Sequence, residues 1–141
     1  MFMSDLSRIA EEIALIGPRI GRRILLDIFQ SSDISHSQLC VIMMLVHNGP
    51  SRSSDIGKEL KVAAPTATGI IGRLEKAGYV ARVMDKGDRR AVIVELTPEG
   101  RKLSLKLRGI VVKRWTNILS KISRDDAEKY LQILKKINEA L

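Results

Sequence analysis

The side chains best suited to chemistry in this 141-residue chain are cations and hydroxyls, with no nucleophile held beside a base. Arg89 and Arg90 close a charged run, Asp85-Lys86-Gly87-Asp88-Arg89-Arg90, and Lys86 adds a third cation to it. Arginine is planar, permanently charged and rich in donors, which suits phosphate and base edges. Thr66 and Thr68 stand two residues apart just after Pro65, with Arg73 one to two helical turns further on. A threonine hydroxyl can bond a base edge or a phosphate, and its methyl can meet a thymine methyl. Asp88 would repel phosphate, so its expected task is to fix the direction of a nearby arginine.

Other chemistries lack their parts. No nucleophile–base–acid grouping and no phosphate-cradling glycine loop is present, so an enzyme and a bound cofactor are not expected. The single cysteine, Cys40, forms no metal spacing with His36 and His47 and excludes an internal disulfide. His36 stands four residues before Cys40, on the same helical face, which would suit a redox thiol. Beside Leu39 in an apolar run, however, Cys40 reads as a buried structural thiol.

The net charge of +8 is unevenly placed. Residues 1–51 carry four Lys/Arg against five Asp/Glu, residues 52–108 thirteen against seven, and residues 109–141 seven against four. A charge serving only solubility would be spread, whereas an excess of six in the middle marks a basic module for a polyanion. Early acidic and basic residues interrupt any leader-like apolar run, and Val41–Val46 is far too short to span a bilayer. The expectation is a soluble cytoplasmic protein without membrane contact.

The elements that must hold these groups can be read from periodicity. Apolar residues at 6, 9, 13, 16, 20, 24 and 28 describe one face of a long first helix, with a kink or break expected at Gly17-Pro18. A second helix carries Leu39, Ile42, Met43 and Val46 as its buried stripe and stops at Asn48-Gly49-Pro50. A third spans about Ser53 to Leu60, anchored by Ile56 and Leu60, and Lys61-Val62-Ala63 turns into a fourth that starts near Pro65 and ends at Ala77-Gly78. Tyr79–Met84 and Ala91–Leu96 are Val- and Ile-rich runs around a polar loop, the pattern of a β-hairpin. Thr97 caps a fifth helix that runs to about Ile122, and Ser123 opens a last one striped by Tyr130, Leu134, Ile137 and Leu141.

Two short helices joined by a three-residue turn form a helix-turn-helix, and the basic hairpin directly after it is a wing. The fold class is therefore mainly α with a small β-hairpin: a winged helix-turn-helix over 35–100, flanked by helical dimerisation segments at 1–34 and 101–141. The start of the fourth helix can enter a major groove, and the arginine-tipped loop a neighbouring minor groove. Lys58, Lys61 and Arg82, with Lys86, read as a general phosphate-facing surface.

Asp85 through Gly100, read as Asp-Lys-Gly-Asp-Arg-Arg-Ala-Val-Ile-Val-Glu-Leu-Thr-Pro-Glu-Gly, resembles the wing signature of the MarR (multiple antibiotic resistance regulator) family. Leu74-Glu75-Lys76-Ala77-Gly78-Tyr79-Val80 is similar to the end of that family's recognition helix, and Asn48-Gly49-Pro50 to the link into its helix-turn-helix. The resemblance implies that Asp88 and Arg90 are the wing pair, with the arginine entering the minor groove. It implies a homodimeric regulator, usually a repressor, on a pseudopalindromic duplex, and release by a small anionic or aromatic effector. Residues of an effector pocket are not assigned, although Arg19, Arg22 and Arg23 offer charge for an anion. The chain departs from the pattern at Ala63, where Ser would cap the recognition helix, and at Pro65 and Gly69, where polar or basic residues are usual. Few base-reading groups remain, which leaves more to the wing and to DNA shape. The alternative reading is a sequence-tolerant architectural DNA-binding protein.

Overall fold

A computed structural model describes residues 4–141. In chain order the elements are α1 (Asp5–Ser31), α2 (His36–Asn48), β1 (Ser51–Arg52), α3 (Ser53–Leu60), α4 (Ala64–Lys76), β2 (Val80–Met84), β3 (Val92–Leu96), α5 (Pro98–Leu119) and α6 (Arg124–Ala140). The chain is mainly helical with one small antiparallel sheet in the order β1-β3-β2. Register pairs Val80 with Leu96 and Met84 with Val92 across the hairpin, and Ser51 with Val94 across the short third strand. By contacts the chain forms two compact units, residues 29–108 and residues 1–28 with 109–141.

The 29–108 unit is built on aliphatic residues. Val41, Ile42, Ile56, Ile71, Leu74 and Val94 are almost wholly removed from solvent. At about 1.5–3 kcal/mol for each fully buried aliphatic side chain, these supply much of the unit's cohesion. α2 starts at a capping box, with Ser35 Oγ accepting from the Gln38 N–H and the Gln38 side chain accepting from the Ser35 N–H. Its buried residues are Leu39, Val41, Ile42, Met44 and Leu45, while the expected Met43 and Val46 face outward. The helix packs against both α4 and β3, so its buried arc is wide and centred one position away from the simple stripe.

The turn between α3 and α4 depends on Lys61, which adopts a left-handed conformation (φ 54°, ψ 43°) while its N–H bonds back to Gly57 and Lys58. α4 ends in a Schellman motif: the Tyr79 N–H reaches Leu74 O, and the Gly78 N–H (φ 84°) reaches Glu75 O. Thr97 then joins three elements. Its N–H donates to Tyr79 O, its hydroxyl donates to Gly78 O at 2.5 Å, and its Oγ1 accepts from the Gly100 N–H at the start of α5.

In the other unit, α1 runs through Gly17-Pro18 without the break expected there. Arg114 makes a two-pronged ion pair with Asp27, one prong at 2.6 Å, which holds the Asp27 carboxyl below its ordinary range. Trp115 and Tyr130 stack at a tilt with centroids 5.7 Å apart. Ser123 caps α6 by accepting from the Asp126 N–H. No residue of α6 is buried, and Leu6, Ile9, Ile13, Ile16 and Ile20 of α1 are exposed.

Candidate nucleic-acid interface

The second helix of the helix-turn-helix sorts its side chains sharply. Ala67, Ile70, Ile71 and Leu74 are buried, which leaves Pro65, Thr66, Thr68, Gly69 and Arg73 on the outward face. Its N-cap, Ala63, offers no side-chain acceptor, so the first-turn N–H groups stay available to a ligand or water. Gly57 of α3 lies close against α4, where a Cβ would stand in contact with the Ala67 Cβ at 3.4 Å.

The wing is a folded loop. The Asp85 N–H bonds to Ala91 O and the Ala91 N–H to Asp88 O. Asp85 Oδ1 accepts from the Gly87 N–H, and Asp88 Oδ1 from the Arg90 N–H, both at 3.0 Å. The Asp88 carboxylate therefore fixes the arginine's main chain, where a contact with a guanidinium was expected. The second oxygen of Asp85 meets Arg52 of β1 at 3.0 Å. The Gly87 N–H, followed by Arg52, holds the Asp85 carboxyl below its ordinary range. Lys86, Arg89 and Arg90 are exposed, and their side chains make no ion pair or hydrogen bond among the described residues.

Between these elements lies a cleft of about 710 Å³. Its lining includes Arg52, Lys58, Lys61, Arg82 and Arg90 against the single carboxylate Asp88, with Thr68, Ser53 and Ser54 as hydroxyl donors. Of the residues expected to meet DNA, Thr68, Asp88 and Arg90 come together here. Pro65 and Thr66 lie on the exposed first turn of α4, and Arg73, Lys86 and Arg89 are exposed outside this lining. Arg52 was not anticipated, because its tie to Asp85 spans 33 positions and leaves no local pattern. Cys40 is half-buried, with Sγ 3.7 Å from His36 Nδ1, a more open position than the apolar run suggested. Among the described residues no His/Cys/Asp/Glu group could hold a metal ion, and no helix is long and apolar enough to cross a membrane.

The sequence model described as MarR family matches residues 34–92, the helix-turn-helix and most of the wing. The HTH-type transcriptional regulator FarR of Neisseria gonorrhoeae is 33% identical over 117 residues, covering 81% of this chain and 80% of FarR. The chain belongs to the MarR family. MarR-type architecture extends beyond the matched segment. The crystal structure of transcriptional regulator Tm0710 from Thermotoga maritima superposes with a TM-score of 0.72 at 29% identity, covering 96% of this chain and 92% of Tm0710. NadR in complex with 4-hydroxyphenylacetate superposes with a TM-score of 0.68 at 26% identity, covering 97% and 96% of the two chains. The protein is a DNA-binding transcriptional regulator of the MarR family and not an enzyme.

Proposed function

We propose that this regulator is a homodimeric repressor that occupies a pseudopalindromic duplex, with α4 in the major groove and the Arg90 wing in the adjacent minor groove. The observation that carries the reading is the cleft itself: five cations face one carboxylate, and Arg90 is held by its main chain while its guanidinium stays free. Neutralising phosphates with such side chains releases counterions and drives binding. Pro65, Thr66 and Thr68 supply the major-groove contacts, Arg73, Lys86 and Arg89 the flanking phosphate contacts, and Asp88 the loop that presents Arg90.

The dimer reading rests on the apolar faces of α1 and α6. Ile13 and Ile16 are more than half exposed, as are Ile133 and Ile137. Rows of large apolar residues exposed on two helices in this way suit a partner surface. A two-fold dimer also suits inverted half-sites about one helical turn apart. Bound at such a site, the protein would repress by occupancy.

Release by a small anionic or aromatic effector is supported by a second cleft of about 530 Å³, a size that suits small ligands. Leu74 and Ala77 at the end of α4 line it, with Tyr79, Leu103 and Lys106. An anion beside Lys106 would bear directly on the recognition helix. NadR, a fold neighbour, holds an aromatic carboxylate, 4-hydroxyphenylacetate.

The test is selection of duplexes from a random-sequence pool, followed by competition against mixed-sequence DNA. An inverted repeat bound at least about 10³-fold more tightly supports the regulator reading, as specific binders usually exceed that ratio. A ratio below about tenfold would instead favour sequence-tolerant, architectural binding.

A further inference from the structure

The cations of the basic cleft are not equivalent. Among the described residues Arg90, Lys58 and Lys61 have no side-chain ion pair or hydrogen bond, whereas the Arg82 guanidinium is tied to α4 at two points. Its Nη2 donates to the main-chain oxygen of Thr68 at 3.2 Å. Its Nε lies 3.8 Å from Glu75 Oε1. Nη2 also stands 3.5 Å from the point a Cβ at Gly72 would occupy. Residues 68, 72 and 75 follow the spacing of one helical stripe, so the guanidinium lies lengthwise against the recognition helix. Its own backbone is fixed on β2, opposite the fully buried Val94.

Gly72 lies beside this guanidinium. An alanine Cβ there would stand in ordinary contact with Nη2, and a longer side chain would compete for the same space.

We infer that Arg82 is a positioning residue for DNA recognition, a strut that fixes the wing's spacing from α4, where it lies beside the small residue Gly72. With one donor bonded to α4 and its charge facing Glu75, it is expected to contribute to sequence discrimination mainly through geometry. Major- and minor-groove contacts then move as one body, because the wing strand and the carbonyl of a DNA-facing residue share one guanidinium. This rests on the DNA-reading geometry proposed above.

Two kinds of variant separate the strut from a phosphate contact. Arg82→Met removes charge and strut together. Gly72→Leu keeps the charge but displaces the guanidinium. Both are compared with wild type on the best duplex recovered from a random pool and on mixed-sequence duplex, across a salt series, after a thermal melt confirms folding. The expected result is a roughly three- to tenfold fall in the selected-to-mixed affinity ratio for both variants, the net scale of one ordinary hydrogen bond. The slope of log affinity against log salt is expected to stay at the wild-type value. A merely structural defect would lower both affinities by one shared factor and leave the ratio unmoved, and that outcome overturns the inference. So would a slope reduced by about 0.9 per dimer arm in Arg82→Met, the signature of one lost phosphate contact in each protomer. Should Arg82→Met fail to fold, Arg82→Lys, which keeps the charge but not the fork, carries the same expectation. Failure of the underlying reading would show separately, as wild-type protein that binds duplex without salt dependence.

Discussion

Replacing Gly100 with alanine puts the geometry between the hairpin and α5 to a quantitative test. A Cβ at Gly100 would lie 2.0 Å from Tyr79 O, 3.0 Å from its carbonyl carbon and 3.2 Å from Leu96 Cδ2. Ordinary carbon contacts begin at about 3.5 Å, so α5 must retreat by more than ~1 Å. Two hydrogen bonds oppose that retreat, from Thr97 N–H to Tyr79 O and from the Thr97 hydroxyl to Gly78 O. Losing both costs about 2 kcal/mol, and overpacking adds roughly 1–3 kcal/mol, for a total of about 3–5 kcal/mol. For a chain of this size that lowers the melting temperature by roughly 6–20 °C. The assay is thermal and urea unfolding at fixed protein concentration, with Gly69→Ala as the paired control. Gly69 also lies within a helix but has nothing within 4 Å of its prospective Cβ. The same substitution there should stabilise by about 0.5–1 kcal/mol, since alanine is the better helix former. Equal melting shifts of one sign in the two variants would refute the reasoning.

Three further outcomes are expected. Ile13→Asp on the exposed α1 stripe should weaken dimerisation at least about a hundredfold, since each protomer buries one copy, and sedimentation at low concentration reads this directly; an unchanged monomer–dimer equilibrium would count against the shared apolar face. Asp27→Asn should lower stability at neutral pH, where the Arg114 hydrogen bonds keep the Asp27 carboxyl ionised. Because the folded carboxyl titrates below its unfolded value of about 3.9, the Asp27 contribution is present above that pH and fades as pH falls through the folded value. Urea curves of wild type and variant should accordingly converge in acid, and a gap that persists there would contradict the ion pair's role. Ala63→Ser should add the missing N-cap of α4 and raise stability by about 1 kcal/mol, visible as a higher urea midpoint with unchanged slope.

Local patterns carried much of the fold into the sequence. α3 was expected between Ser53 and Leu60 and is found there, because a polar start, two apolar anchors and a turn bracket it within eight residues. The hairpin and the Thr97 cap were legible for the same reason: every residue that defines them is close in sequence. β1 was invisible, since two residues carry no periodicity. The face of α2 was displaced because its run from Leu39 to Val46 is apolar all round, so only its partners decide which residues are buried. Pro18 was expected to interrupt α1, but the first helix runs from Asp5 to Ser31 through it. In the candidate site, the exposure of the wing arginines followed from the charged loop, whereas their inequality did not. Arg82 reaches Thr68 across 14 positions and Arg52 reaches Asp85 across 33, and neither spacing leaves a mark on the chain. Asp88 shows the limit at short range: a short carboxylate two residues before an N–H closes its own turn before it reaches a neighbouring side chain.

The most direct test of the central claim is the salt dependence of duplex binding by wild type and Arg90→Ala. Arg90 is expected to reach the DNA, so its removal should lower affinity and reduce the slope of log affinity against log salt by about 0.9 per dimer arm. Identical slopes and affinities, in a variant whose melting curve matches wild type, would contradict the account.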